Sequence, residues 1–322
     1  MRERLAGRRA FRIAGTVAAM VGVAAVLSAC STSPSSPSPS ASGGQGTGAI
    51  PAVGAENTYA GVISQIGGPY VEVTAVESNP NTDPHTFEAS PKVAEEIASA
   101  KLVVQNGLGY DSWATRIEAA SPQPDRKVID VQQLLNLPDS TPNPHLWYKP
   151  STMPAVADAV AKDLAALAPA HASVFESRAK AFVSSLKPWD QAIAAFDRAH
   201  PGTPVAVTEP VADYMLEAAG CRILTPFSLQ AAIMNGTDPS PQDVTDEENL
   251  FNDHRVKVFL YNQQVTDSLT ASFLALARHD GIPVVGVYET MPTPGYDYQS
   301  WMIAEVHALD AAVTHHTSTS RL

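Results

Sequence analysis

Two histidines and two glutamates stand where the side chains of an α/β protein can do chemistry. His85 lies in the Pro-rich loop Asn79-Pro80-Asn81-Thr82-Asp83-Pro84-His85-Thr86-Phe87-Glu88, and His145 lies in Asn143-Pro144-His145-Leu146-Trp147. Glu209 and Glu289 are each the first charged residue beyond an apolar run, at 204–208 and 282–287. Taken singly, a loop histidine is an ordinary exposed side chain. A glutamate after a strand is an ordinary neighbour of a helix N-terminus, where the dipole favours negative charge. Taken together, two neutral imidazoles and two carboxylates make a borderline-hard metal site of net charge about -2, suited to Mn, Fe(II) or Zn. Cu(I), which prefers sulfur, is disfavoured. A metalloenzyme could use the same ligands, but it would keep an open coordination position with a water and a general base.

Competing motifs are weak. Asn106-Gly107-Leu108-Gly109 follows an apolar run but lacks the third glycine and the downstream acidic partner of a dinucleotide fingerprint, so it reads as a turn. No Gly-x-Ser-x-Gly nucleophile elbow occurs. Cys221 precedes an apolar segment and reads as a buried, inert thiol. The other seven histidines fall in or beside helical stretches.

The elements that must position these residues alternate between short apolar runs and helical stretches, the pattern of α/β architecture. One series predicts strands over 70–76, 101–105 and 127–131, with helices over 58–66, 91–100 and 111–120. A second predicts strands over 204–208, 222–225, 256–261 and 282–287, with helices over 211–219, 240–252, 266–279 and 299–313. Between them, 150–200 is Ala-rich and free of glycine, and reads as two helices broken near Pro169. Pro188 predicts a kink or break in the second. Open α/β sheets bind ligands at the carboxyl ends of their strands. Two facing lobes would therefore bring both imidazoles and both carboxylates to one cleft.

Composition restricts the partners. The 322 residues are 44% hydrophobic, enough for two ordinary domains, and carry a formal charge of -12. Arg2, Arg4, Arg8, Arg9 and Arg12 precede a short apolar run from Ile13 to Leu27, which reads as a signal peptide over 1–29. Its removal takes five Arg and one Glu, leaving 16 basic against 32 acidic residues, a charge of about -16. Such a surface repels nucleic acid and favours cations. Leu27-Ser28-Ala29-Cys30 resembles the lipobox of bacterial lipoproteins, in which the cysteine carries the lipid anchor. The Ser/Pro/Gly-rich stretch that follows reads as a flexible tether. With Cys30 lipidated, Cys221 has no partner for a disulfide.

Asp-Pro-His-Thr-Phe-Glu, Asn-Gly-Leu-Gly-Tyr-Asp-Ser-Trp and Asn-Pro-His-Leu-Trp resemble the metal-receptor family of ABC importers often called cluster A-I. The resemblance covers residues 50–313. It implies a helical-backbone metal receptor, with two α/β lobes joined by a long helix and an ion held by two side chains from each lobe. His85 and His145 match the first-lobe ligands. Glu209 falls where members have His or Glu, and Glu289 where they usually have Asp. That departure makes Asp297, in Gly295-Tyr296-Asp297-Tyr298, the alternative fourth ligand. The absence of histidine between Ala119 and Asn143, where many zinc receptors carry a His-rich loop, leans toward Mn or Fe.

The expected layout is signal peptide 1–29, lipidated Cys30 and tether 30–49, N-terminal lobe 50–168, linking helix 169–200 and C-terminal lobe 201–322. The expected function is that of a monomeric, non-enzymatic, membrane-anchored extracytoplasmic receptor. It would deliver one divalent transition metal (Zn, Mn or Fe) to a membrane permease with its ATPase. A receptor for a metal chelate, such as a siderophore or corrinoid, and a cell-surface adhesin are the alternatives.

Overall fold

The computed structural model describes residues 48–322. The signal peptide, Cys30 and the tether up to Thr47 lie outside the described residues. The first sheet comprises β1 (Ile50–Glu56), β2 (Val71–Glu77), β3 (Leu102–Gln105) and β4 (Lys127–Asp130), all parallel in the order β2-β1-β3-β4. A second parallel sheet repeats this order with β5 (Pro204–Val207), β6 (Arg222–Ile223), β7 (Val258–Asn262) and β8 (Val284–Val287), arranged β6-β5-β7-β8. Helices flank both sheets, so the chain is a two-lobed α/β protein.

Sequence reading assigns no strand to 50–56, yet β1 is a central strand. Pro51 and Gly54 both weaken strand propensity, which hides it. Gly54 is there for packing: a Cβ would lie 2.3 Å from the backbone nitrogen of Ala60 in the helix Asn57–Gly67. That contact lets the helix lie directly on the strand it follows. Two helices, Val131–Leu134 and Phe227–Met234, were also not expected.

Strand order determines where a ligand can bind. In each sheet the connections leave in opposite directions on either side of one adjacent pair, β1/β3 in the first and β5/β7 in the second. The carboxyl ends of such a pair border an open crevice. Glu209 follows β5 and Asn262 ends β7, so both lie at the second crevice.

Between the sheets run Thr152–Leu167, a turn at Pro169–His171, and the helices Ala172–Ser185 and Lys187–Ala199. The interruption near Pro188 falls at Leu186, because a proline tolerates the first turn of a helix but not its interior. Phe175, Ala179, Phe182, Leu186, Trp189, Ile193 and Phe196 are all buried at alternating spacings of four and three. One apolar stripe therefore continues through the interruption. Among the described residues, no helix is long and apolar enough to cross a membrane.

Candidate metal centre

Each first-lobe imidazole is aimed by its own loop. Asp83 caps the short turn Pro84–Thr86, its Oδ1 accepting the His85 backbone N–H at 2.8 Å, with Pro84 in the first turn. Asn143 does more for His145. Its Oδ1 lies 2.9 Å from both the backbone nitrogen and Nδ1 of His145, while its Nδ2 donates to Pro210 O at 2.7 Å. The bond to Pro210 sets the amide orientation, so Oδ1 must accept and the ring proton sits on Nδ1. Nε2 is then left with its lone pair, the form in which a histidine binds metal. The two rings stand nearly perpendicular with centroids 5.8 Å apart.

The second lobe brings Glu289 to both rings. Its Oε2 lies 3.1 Å from His85 Nε2 and 3.1 Å from His145 Nε2, and it accepts the Tyr110 hydroxyl at 2.9 Å. At His85 the contact lacks the alignment of a hydrogen bond, so that nitrogen is buried without a formal partner. Glu289 is held from behind. Gln264 Oε1 accepts its backbone N–H at 2.7 Å and that of Thr290 at 2.8 Å. Beyond it, Met291 donates its N–H to Asn57 Oδ1 at 3.1 Å and accepts from Asn57 Nδ2 at 2.8 Å, tying this loop to the first lobe.

Of the four residues expected at the site, His85, His145 and Glu289 come together, offering one ligand atom each within 4.8 Å of one another. Glu209 stands one amide away. Asn262 Nδ2 donates to Glu209 Oε1 at 3.0 Å and to Glu289 Oε1 at 2.8 Å, bridging the two carboxylates. The other Glu209 oxygen is buried without a partner. Asp297 is engaged elsewhere: it caps the helix Tyr298–His315, accepting from the Ser300 N–H at 2.8 Å within a capping box.

Burial and charge set the protonation. Burial raises Glu209 well above the usual carboxylate range, and the neighbouring Glu289 charge raises it further. Burial would also raise Glu289, but the two imidazoles overrule it and hold this carboxyl well below its ordinary value. Burial pulls His85 down, yet the Glu289 carboxylate prevails and the ring sits above its ordinary value. At His145 burial wins, and the value is lowered. Two imidazole nitrogens around one carboxylate oxygen form a group that only a cation, proton or metal, reconciles.

Sequence reasoning missed the supporting residues Tyr110, Asn143, Asn262 and Gln264. Tyr110 and Asn143 lie inside the motifs quoted above. Asn262-Gln263-Gln264, a polar run just beyond an apolar one, carries the same end-of-strand signal as Glu209.

Comparison with known proteins identifies the family and the fold. The family described as zinc-uptake complex component A, periplasmic (ZnuA), matches residues 53–312. A Chlamydia muridarum protein whose name records metal binding is 24% identical over 205 residues, 62% of this chain and 70% of that one. Among solved structures, the periplasmic zinc binding protein TroA from Treponema pallidum superposes with a TM-score of 0.70 at 16% identity, covering 84% of this chain and 100% of that one. The solute-binding protein FpvC from Pseudomonas aeruginosa in complex with Mn2+ superposes at 0.68 and 21% identity, covering 83% and 99%.

Proposed function

The chain belongs to the ZnuA family of extracytoplasmic metal-binding receptors, which are not enzymes, and on that premise we propose that it captures one Zn, Mn or Fe ion for an ABC importer. His85, His145 and Glu289 form the core of the site, and Glu209 completes it. The observation that carries this reading is the pair of 3.1 Å contacts from both Nε2 atoms to one oxygen of Glu289. Ligands about 2.1 Å from a tetrahedral ion stand about 3.4 Å apart. A shift of a few tenths of an ångström would therefore admit the metal. Glu209, with its unpartnered oxygen, reaches the ion by exchanging its bond to Asn262. His145 and Glu289 are almost fully buried. That supports a bare ion, since a siderophore or corrinoid needs a wide cleft.

Two nitrogens and two carboxylates suit all three metals, and the lack of histidine across 119–143 favours Mn or Fe. In this reading residues 50–168 and 201–322 are the lobes, 169–200 is the strut between them, and Cys30 carries the lipid anchor. The protein acts as a monomer and hands its cargo to a permease and its ATPase. Elemental analysis of protein purified from its own host tests the proposal. One equivalent of a single transition metal is expected. Metal-free protein that also fails to bind Zn2+, Mn2+ or Fe2+ in titration overturns it.

A further inference from the structure

One tyrosine is bonded to the backbone beside both His145 and Glu289. Tyr148 closes the turn Leu146–Tyr148 that follows His145, and its backbone N–H donates to the His145 carbonyl at 3.1 Å. Its hydroxyl donates to the Tyr288 carbonyl at 2.8 Å. That carbonyl belongs to the peptide unit whose nitrogen is that of Glu289, and Gln264 Oε1 accepts the N–H of the same unit at 2.7 Å. A peptide unit is planar, so bonds on both its edges fix the direction in which the Glu289 side chain sets out. Tyr148 is itself fully buried, its ring edge-on to Trp301 with centroids 5.5 Å apart.

The hydroxyl has one proton and two acceptors within reach. Glu305 Oε1 lies 3.2 Å from it and also accepts the Trp301 indole N–H at 3.1 Å. An ionised carboxylate would take the phenol proton from a neutral carbonyl. Burial pushes the Glu305 carboxyl up to about 8, so it stays uncharged in neutral solution and the proton remains with the Tyr288 carbonyl.

We propose that Tyr148 is a positioning residue for the metal centre: by joining the backbone at His145 to the backbone before Glu289, it sets the separation of these two side chains. The inference rests on the reading of both as ligands of the ion. A glutamate side chain has several torsions to order, and a base free to drift adds to that entropic cost. Tyr148 holds the base from the side of His145, and Gln264 holds it from the other edge of the same peptide unit. The carboxylate is thereby kept 3.1 Å from His145 Nε2 before any ion arrives. Tyr148 acts through the peptide unit and not on the ion.

Tyr148→Phe keeps the ring against Trp301 and removes only the hydroxyl. Zn2+ affinity, read by competition with a chromophoric chelator, should fall roughly tenfold, the scale of losing a group that orients a ligand. The d–d absorption of bound Co2+ should shift as well, because it reports the arrangement of the ligands, which a loosened core elsewhere leaves alone. Tyr298→Phe is the control. Tyr298 is as deeply buried and donates to the Trp147 carbonyl at 2.6 Å, but among the described residues it makes no hydrogen bond to the Glu289 loop. It should lower the unfolding temperature with both metal readouts unchanged. Wild-type Zn2+ affinity or a wild-type Co2+ spectrum in Tyr148→Phe overturns the proposal, and so does an equal change in Tyr298→Phe. Failure of the function proposed above would show earlier and separately, as the absence of stoichiometric Zn2+ and Co2+ binding by the unmutated protein.

Discussion

Nε2 of His145 and Oε2 of Glu289, from residues 144 positions apart, meet at 3.1 Å inside a fully buried contact. Because Asn143 keeps the ring proton on Nδ1, a lone pair faces a carboxylate oxygen unless a proton or a metal lies between them. Loading the site is therefore an exchange of protons for an ion.

The two imidazoles should enter that exchange at different pH. Glu289 holds His85 above its ordinary value against the effect of burial, whereas burial lowers His145. As pH falls, His85 takes up its proton first, above about 6.5, and His145 only below that. Protons compete with metal, so affinity falls with falling pH. Each imidazole that must shed its proton adds up to about tenfold per pH unit, and Glu209, raised by burial, adds its own proton where it joins the ion. Titration calorimetry from about pH 8 to 5, a range bracketing the ordinary imidazole value, checks this. A pH-independent affinity would remove histidine from the site.

Asn262 holds two carboxylates with one amide. Asn262→Leu, similar in size, leaves Glu209 and Glu289 facing each other without a donor. The metal-free protein should lose roughly 1–3 kcal/mol in urea unfolding, and metal affinity should drop about tenfold. Bound metal, which neutralises both carboxylates, should recover much of the stability. An equal loss with and without metal would mean that the amide serves packing alone.

Glu209 and Asp297 make opposite predictions. Glu209→Ala should weaken binding at least about tenfold with the fold intact. Asp297→Ala should leave affinity unchanged and lower stability by about 1 kcal/mol, the usual cost of a lost helix cap. Calorimetry with thermal unfolding on both variants decides, and reversed results would exchange the roles of the two residues.

Cys30→Ala should release the protein from the membrane or leave its precursor uncut, with metal binding unaltered. Fractionation of cells expressing the variant reads this directly. Retention of a processed form at the membrane would refute lipidation at Cys30.

The legible parts of the chain were those set by local pattern. β2, β3, β4, β5, β7 and β8 are short strand-like segments between helical stretches, and they lie within a residue or two of where the pattern put them. β1 was hidden because Gly54 answers to Ala60 across a packing contact, not to strand propensity. The end-of-strand rule pointed to Glu209 and Glu289 and the loop motifs to both histidines; of these, His85, His145 and Glu289 come within ligand reach of one another. What no local rule contains is the amide of Asn262 shared between two carboxylates, or the reach of Tyr110 from one lobe to Glu289 in the other. Both depend on how the lobes face each other.

The double hydrogen bond between Asn57 and the backbone of Met291 bears on timing. Glu289 grows from one lobe, but two residues later its chain is fastened to the other. Pulling this stretch of backbone away from the first lobe breaks two bonds worth about 1 kcal/mol each. Separation of the lobes would therefore carry Glu289 away from the two histidines of the first lobe. A partner that pries the lobes apart would have to break both bonds together.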